Sequence, residues 1–89
     1  MESYSLAVTD RFKRQFKKLD RYTQKFIRSW IDKNLVNTTM PRAHGKALTE
    51  ELKGFWRYRI GDYRLICKIE DEELVILALE IGHRREVYK

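Results

Sequence analysis

The sequence predicts an α+β domain of order β-α-α-β-β-β, with a two-helix hairpin packed on one face of a mostly antiparallel, twisted sheet. Three observations predict it. Between residues 10 and 35 the apolar residues recur at intervals of three and four, which places them on one helix face. From residue 55 onward they fall in short alternating or continuous runs separated by turn residues, the pattern of strands. At 89 residues with 43% hydrophobic content, the chain can bury one core and no second one, so residues 1–89 read as a single domain.

The elements follow in order. Tyr4, Leu6 and Val8 alternate with Ser5 and Ala7, predicting a first strand. Thr9 can cap a helix, and Asp10 suits the positive end of its dipole. Phe12, Phe16 and Leu19 form that helix's stripe, while Arg11, Lys13, Arg14, Lys17 and Lys18 make the rest of it basic. Asp20 caps a second helix with the stripe Tyr22, Phe26, Ile27, Trp30, Ile31 and Leu35. Asn37 to Pro41 stops it, and residues 41–53 read as a loop. Phe55 to Ile60 and Tyr63 to Glu70 are strands joined by Gly61-Asp62, whose leading glycine suits a type II′ hairpin turn. After the acidic turn from Glu70 to Glu73, Leu74 to Ile81 is apolar on both faces and is expected to be central in the sheet.

Composition narrows the function. Lys and Arg number 19 against 13 Asp and Glu, a formal charge of +6, which favours a polyanionic partner. The single cysteine, Cys67, permits no disulfide within the chain, and no Cys/His cluster exists, so neither a metal nor another cofactor is expected. No apolar stretch reaches membrane-spanning length, and the start lacks the pattern of a signal peptide. A cytoplasmic protein with no membrane role is expected.

The hairpin register singles out a site. If Gly61-Asp62 is a two-residue loop, Ile60 opposes Tyr63 and Arg59 opposes Arg64. Alternation then puts Arg57, Arg59, Arg64 and Ile66 on one face, with Trp56, Tyr58, Ile60, Tyr63 and Leu65 on the other, under the helices. Opposed arginines repel, by roughly 0.2–1 kcal/mol per cross-strand pair. A phosphate site explains them, because guanidinium groups fork onto phosphate oxygens. The structural alternative is a solvated face of splayed arginines balanced by Glu80. Lys46, in the preceding loop, is expected to join Arg57, Arg59 and Arg64 as a substrate contact. Arg84 shares strand parity with Glu80, Ala78 and Ile76. Whether that set joins the arginine face depends on the acidic turn. His83 reads either as a hydrogen-bonded structural residue or as a proton-transfer group.

The run Gly54-Phe55-Trp56-Arg57-Tyr58-Arg59-Ile60-Gly61-Asp62-Tyr63-Arg64-Leu65-Ile66 resembles the signature of the RelE/ParE toxin superfamily, and Ile81-Gly82-His83-Arg84-Arg85-Glu86-Val87-Tyr88 resembles its RelE branch. The first strand and the basic helix ending Phe16-Lys17-Lys18-Leu19 agree with it as well. The resemblance implies a small metal-free ribonuclease that enters the ribosomal A site and cleaves mRNA by attack of a ribose 2′-hydroxyl on the adjacent phosphate. It also implies a cognate antitoxin that wraps the toxin and blocks the site. By position, Arg57 and Arg59 stand where the family places basic residues, and Arg64 matches the arginine that holds the scissile phosphate. Arg84 matches the basic residue near the leaving oxygen, and Tyr88 the tyrosine that stacks on or orients a base. His83 stands where some members keep a histidine. Some members carry proton-handling lysines at the positions of Arg57 and Arg59. Arginine is a poor general base, which leaves His83, and after it Glu80, as candidates for proton transfer. The basic first helix is expected either to contact ribosomal RNA or to be a solvated face. ParE-like relatives poison DNA gyrase instead. That activity and a non-enzymatic nucleic-acid-binding module are the two competing readings.

Overall fold

The computed structural model describes residues 2–48 and 54–84. The elements are β1 (Ser5–Val8), α1 (Asp10–Lys17), α2 (Arg21–Asn34), β2 (Lys46–Ala47), β3 (Phe55–Ile60), β4 (Tyr63–Glu70) and β5 (Val75–His83). The strands form one sheet in the order β1-β5-β4-β3-β2. Only β1 and β5 run parallel; the other pairs are antiparallel.

Both helices begin at the expected caps. The Thr9 hydroxyl accepts from the Phe12 amide at 3.1 Å, and the Asp20 carboxylate from the Thr23 amide at 3.3 Å. The Gln24 amide of α2 donates to the Phe16 and Leu19 carbonyls, both at 3.0 Å, and so closes the otherwise unsatisfied end of α1. Ile27, Leu35, Tyr58, Ile60, Leu65, Cys67 and Ile76 are the largest fully buried side chains, drawn from α2, its C-cap and the sheet face beneath it. Burying each large aliphatic contributes about 1.5–3 kcal/mol, so this one interface supplies most of the driving force.

The expected loop over 41–53 is corrected in part. Lys46 and Ala47 form the edge strand β2 against Arg57 and Trp56 of β3. Two residues carry no alternation, so the sequence held no strand signal. Contacts from distant residues create the pairing. The Trp56 indole donates to the His44 carbonyl at 2.6 Å, and the Tyr58 hydroxyl donates to the Pro41 carbonyl. Gly45 passes so close to β3, with φ 79°, that a Cβ there would lie 2.2 Å from the Arg57 carbonyl oxygen.

β5 is flanked on both sides, by β1 and β4, but the centre of the sheet is β4 and not β5, because the unforeseen edge strand β2 adds a fifth strand on the far side. β5 also runs two residues beyond Ile81, because β4 pairs with it as far as Tyr63↔His83. β1 ends at Val8, and α1 takes over its edge. The Thr9 hydroxyl donates to the Leu79 carbonyl at 3.2 Å, and the Ile81 amide donates to the Gln15 side chain at 2.8 Å. Helix side chains thus replace the missing strand partner along the segment that leads to the site.

Candidate phosphate-binding face

The β3–β4 hairpin has the predicted register. Gly61 has φ 60°, and Arg59 lies directly opposite Arg64. Directly paired residues share a sheet face, which yields two rows of neighbours across the strands. One row runs Lys46, Arg57, Ile66, Glu80, and the next runs Arg59, Arg64, Gly82. Lys46, Arg57, Arg59 and Arg64 are therefore brought together on the face away from the helices.

Arg64 is the deepest of them, only 9% exposed, and it anchors the group. Its Nη1 donates to the Tyr63 carbonyl at 3.2 Å and more weakly to the Gly61 carbonyl at 3.4 Å. Burial lowers the proton affinity of its guanidinium, and Arg59, Arg57 and Arg84 lower it further, against a smaller opposing effect of Asp62. Three other guanidinium groups thus act on Arg64 here. The field is positive, and the shallow end of the second row is Gly82, which has no side chain to block approach. Such a face can bind a phosphodiester and stabilise extra negative charge on it.

A β-bulge decides what β5 contributes. Glu80 pairs with Ile66, but Ala78 pairs with Cys67, so Leu79 is the additional residue. Ile76, Ala78 and Ile81 are buried on the helix side, while Glu80 and Gly82 turn to the arginine face. The shared parity of Ile76, Ala78 and Glu80 therefore does not mean a shared face. Arg84 follows Gly82 by two residues, its amide donating to the Asp62 carbonyl at 2.9 Å, and its charge acts on Arg64.

His83 is not brought to the arginine face. It pairs with Tyr63, a helix-side residue, and their rings meet edge to face at 5.7 Å. With Gln15, Lys18, Leu19, Tyr63, Ile81 and Gly82 it lines a separate recess of about 400 Å³. Glu80 does share the arginine face, and its Oε1 accepts from Arg11 Nη2 of α1 at 3.0 Å. This contact spans 69 positions, and no sequence periodicity could have revealed it. Tyr88 lies outside the described residues. Among the described residues, no group of three or more His, Cys, Asp or Glu side chains is arranged to hold a metal ion. Among those residues, too, no helix is long and apolar enough to cross a membrane.

The profile of the family described as ParE toxin of type II toxin–antitoxin system, parDE, matches residues 6–88. The chain belongs to this toxin family. Its place in the RelE/ParE superfamily is in the RelE-like branch. It is 39% identical over 49 residues to toxin RelG of Mycobacterium tuberculosis, a match spanning 55% of this chain and 56% of that protein. Its fold is similar to a chain of the RelBE2 toxin–antitoxin complex of M. tuberculosis, with TM-score 0.76, 27% identity, and coverage of 92% of this chain and 99% of that one. It is also similar to the isolated E. coli RelE toxin, with TM-score 0.75, 22% identity, and coverage of 97% and 92%. The chain is thus a type II toxin of RelE-like fold.

Proposed function

We propose that this toxin is a metal-independent endoribonuclease that cleaves mRNA in the ribosomal A site and that a cognate antitoxin restrains it. The observation that carries the reading is the direct opposition of Arg59 and Arg64, with Arg57 and Lys46 beside them. A structural sheet gains nothing from that arrangement, whereas a phosphodiester passing through a pentacovalent state gains compensating charge. Arg57, Arg59, Arg64 and Lys46 grip the scissile phosphate. Arg84 stabilises the leaving 5′ oxygen, and Tyr88 orients a base. The 2′-hydroxyl is the nucleophile, so the first product is a 2′,3′-cyclic phosphate. Positioning and electrostatics account for the chemistry, apart from the group that takes the 2′-hydroxyl proton, for which His83 and Glu80 compete.

The similarity to chains of toxin–antitoxin complexes supports an antitoxin partner. An acidic or amphipathic segment suits the basic sheet face. The basic residues Arg11, Lys13, Arg14, Lys17 and Lys18 suit ribosomal RNA, and the site of action is cytoplasmic.

The test is to map mRNA 5′ ends in bacteria after brief induction of the toxin, beside an Arg64→Ala control. New ends inside translated frames that are absent from the control are expected. The family's ParE description makes gyrase poisoning the competing outcome. It would show as arrested DNA replication with intact mRNA. Intact mRNA without arrest would indicate a binding module.

A further inference from the structure

From the geometry we infer that Glu80, steered by Arg11, is the group that accepts the 2′-hydroxyl proton. The inference rests on the nuclease reading and decides a question that reading leaves open. A base must reach the ribose beside the phosphate that the arginines hold, so it must lie on their face. Pairing to Ile66 puts Glu80 there, diagonal to Arg64 and at the end of the row that starts at Lys46 and Arg57. Diagonal cross-strand neighbours are roughly 7–8 Å apart, which leaves room for a phosphodiester between the Arg64 guanidinium and the Glu80 carboxylate. His83 is paired to Tyr63 on the opposite face.

The carboxylate is not consumed by the arginine cluster. Its Oε1 is bound by Arg11, which approaches from α1 across the edge that β1 leaves open. A carboxylate offers about four lone-pair sites, so one such bond orients the group and leaves acceptor capacity for a hydroxyl. The charged groups placed around it are Arg11 on α1, with Asp10 beside it in the first turn, and Arg64 and Lys68 on β4, the last paired to Glu70 at 3.5 Å. The remaining carboxylates on this side lie at the strand ends, Asp62 in the hairpin turn and Glu70 at the far end of β4.

The step balances. Glu80 takes the proton as the 2′ oxygen bonds to phosphorus, and the bond from phosphorus to the 5′ oxygen breaks. The leaving oxygen gains a proton from water, and the 2′,3′-cyclic phosphate remains on the upstream fragment. Arg11 is a positioning residue, since it acts on the reaction through Glu80.

The experiment is single-turnover cleavage of mRNA on programmed ribosomes, as a function of pH, by wild type, Glu80→Gln, His83→Ala, Arg11→Ala and Arg11→Lys. Glu80→Gln is expected to lower the rate about 100-fold or more, as loss of a general base does, without weakening ribosome binding. Wild type is expected to lose rate toward acid pH, and Glu80→Gln should abolish that fall. His83→Ala should keep that fall. At saturating ribosome, where any loss of binding no longer limits the rate, Arg11→Ala should lower cleavage, and Arg11→Lys should restore part of it. Thermal melts establish that Glu80→Gln is folded. A Glu80→Gln rate within threefold of wild type, or loss of the acid-side fall only in His83→Ala, overturns the assignment. Failure of wild type to cleave while replication arrests overturns the nuclease reading itself, a result distinct from either.

Discussion

Arg59 and Arg64 stand directly opposite each other across the β3–β4 hairpin, with Arg57 diagonal to Arg64 on the same face. The sheet carries this repulsion with Arg64 nearly buried. Removing one charge should therefore improve the fold while harming the site. Arg59→Thr is expected to raise stability by about 0.2–1 kcal/mol and to weaken binding of a short oligoribonucleotide. Urea denaturation and a binding titration read the two effects. A destabilised Arg59→Thr would mean that Arg59 holds the sheet together.

Arg64 should be irreplaceable for a reason other than charge. Its guanidinium is aimed by the Tyr63 and Gly61 carbonyls, and a lysine ammonium cannot present the same planar fork. Arg64→Lys is expected to lose most cleavage activity, about 10- to 100-fold, while keeping the salt dependence of RNA binding. Arg64→Ala should lose activity as well and reduce the slope of log K against log salt by about one. Equal slopes in the two variants would remove Arg64 from phosphate contact.

Gly45 controls the position of Lys46. A side chain at Gly45 collides with the Arg57 carbonyl, and the Trp56 indole nitrogen lies 2.8 Å from the added Cβ. The backbone there also has a φ that L side chains rarely adopt. Gly45→Ala should force β2 away from β3 at a cost of about 1–3 kcal/mol, and RNA binding should drop with it. Hydrogen exchange is expected to rise at Lys46 and Ala47. Unchanged protection at those amides would contradict the prediction.

Asp71 ties three segments together. It accepts two bonds from Arg42, at 3.0 and 2.9 Å, and one from the Tyr4 hydroxyl at 2.6 Å. The Arg42 bonds, and then the Tyr4 bond, hold its carboxyl below the usual range. Because the folded value is depressed, the stabilisation is complete above the unfolded carboxyl value of about 3.9 and disappears as pH falls through the folded value. The pair is exposed and screened, so Asp71→Asn should cost at most about 1 kcal/mol at neutral pH. The difference from wild type should disappear once the pH falls below the depressed folded value. Denaturation at several pH values checks this, and a gap that persists in acid would assign the effect to packing.

The sequence by itself determined the elements whose signals are local. Thr9 and Asp20 each cap a helix through an amide three residues on, and the apolar stripes repeat within a turn or two. Gly61-Asp62 joins β3 and β4 with no slack, so the opposition of Arg59 and Arg64 is legible in the order of residues alone. Only the tertiary structure decided the rest of the site. Strand β2 exists because Trp56 and Tyr58 hold the backbone of residues 41–44 against β3. The bulge at Leu79 turns Glu80 toward the arginines and leaves His83 beneath them, and it arises only when β5 is laid against β4. The contact from Arg11 to Glu80 joins the first helix to the last strand. Side-chain periodicity tells which residues share a face within one unbroken element. It does not tell where an element slips by one residue, or which distant partner meets it, because packing energies spread over the whole sheet set both.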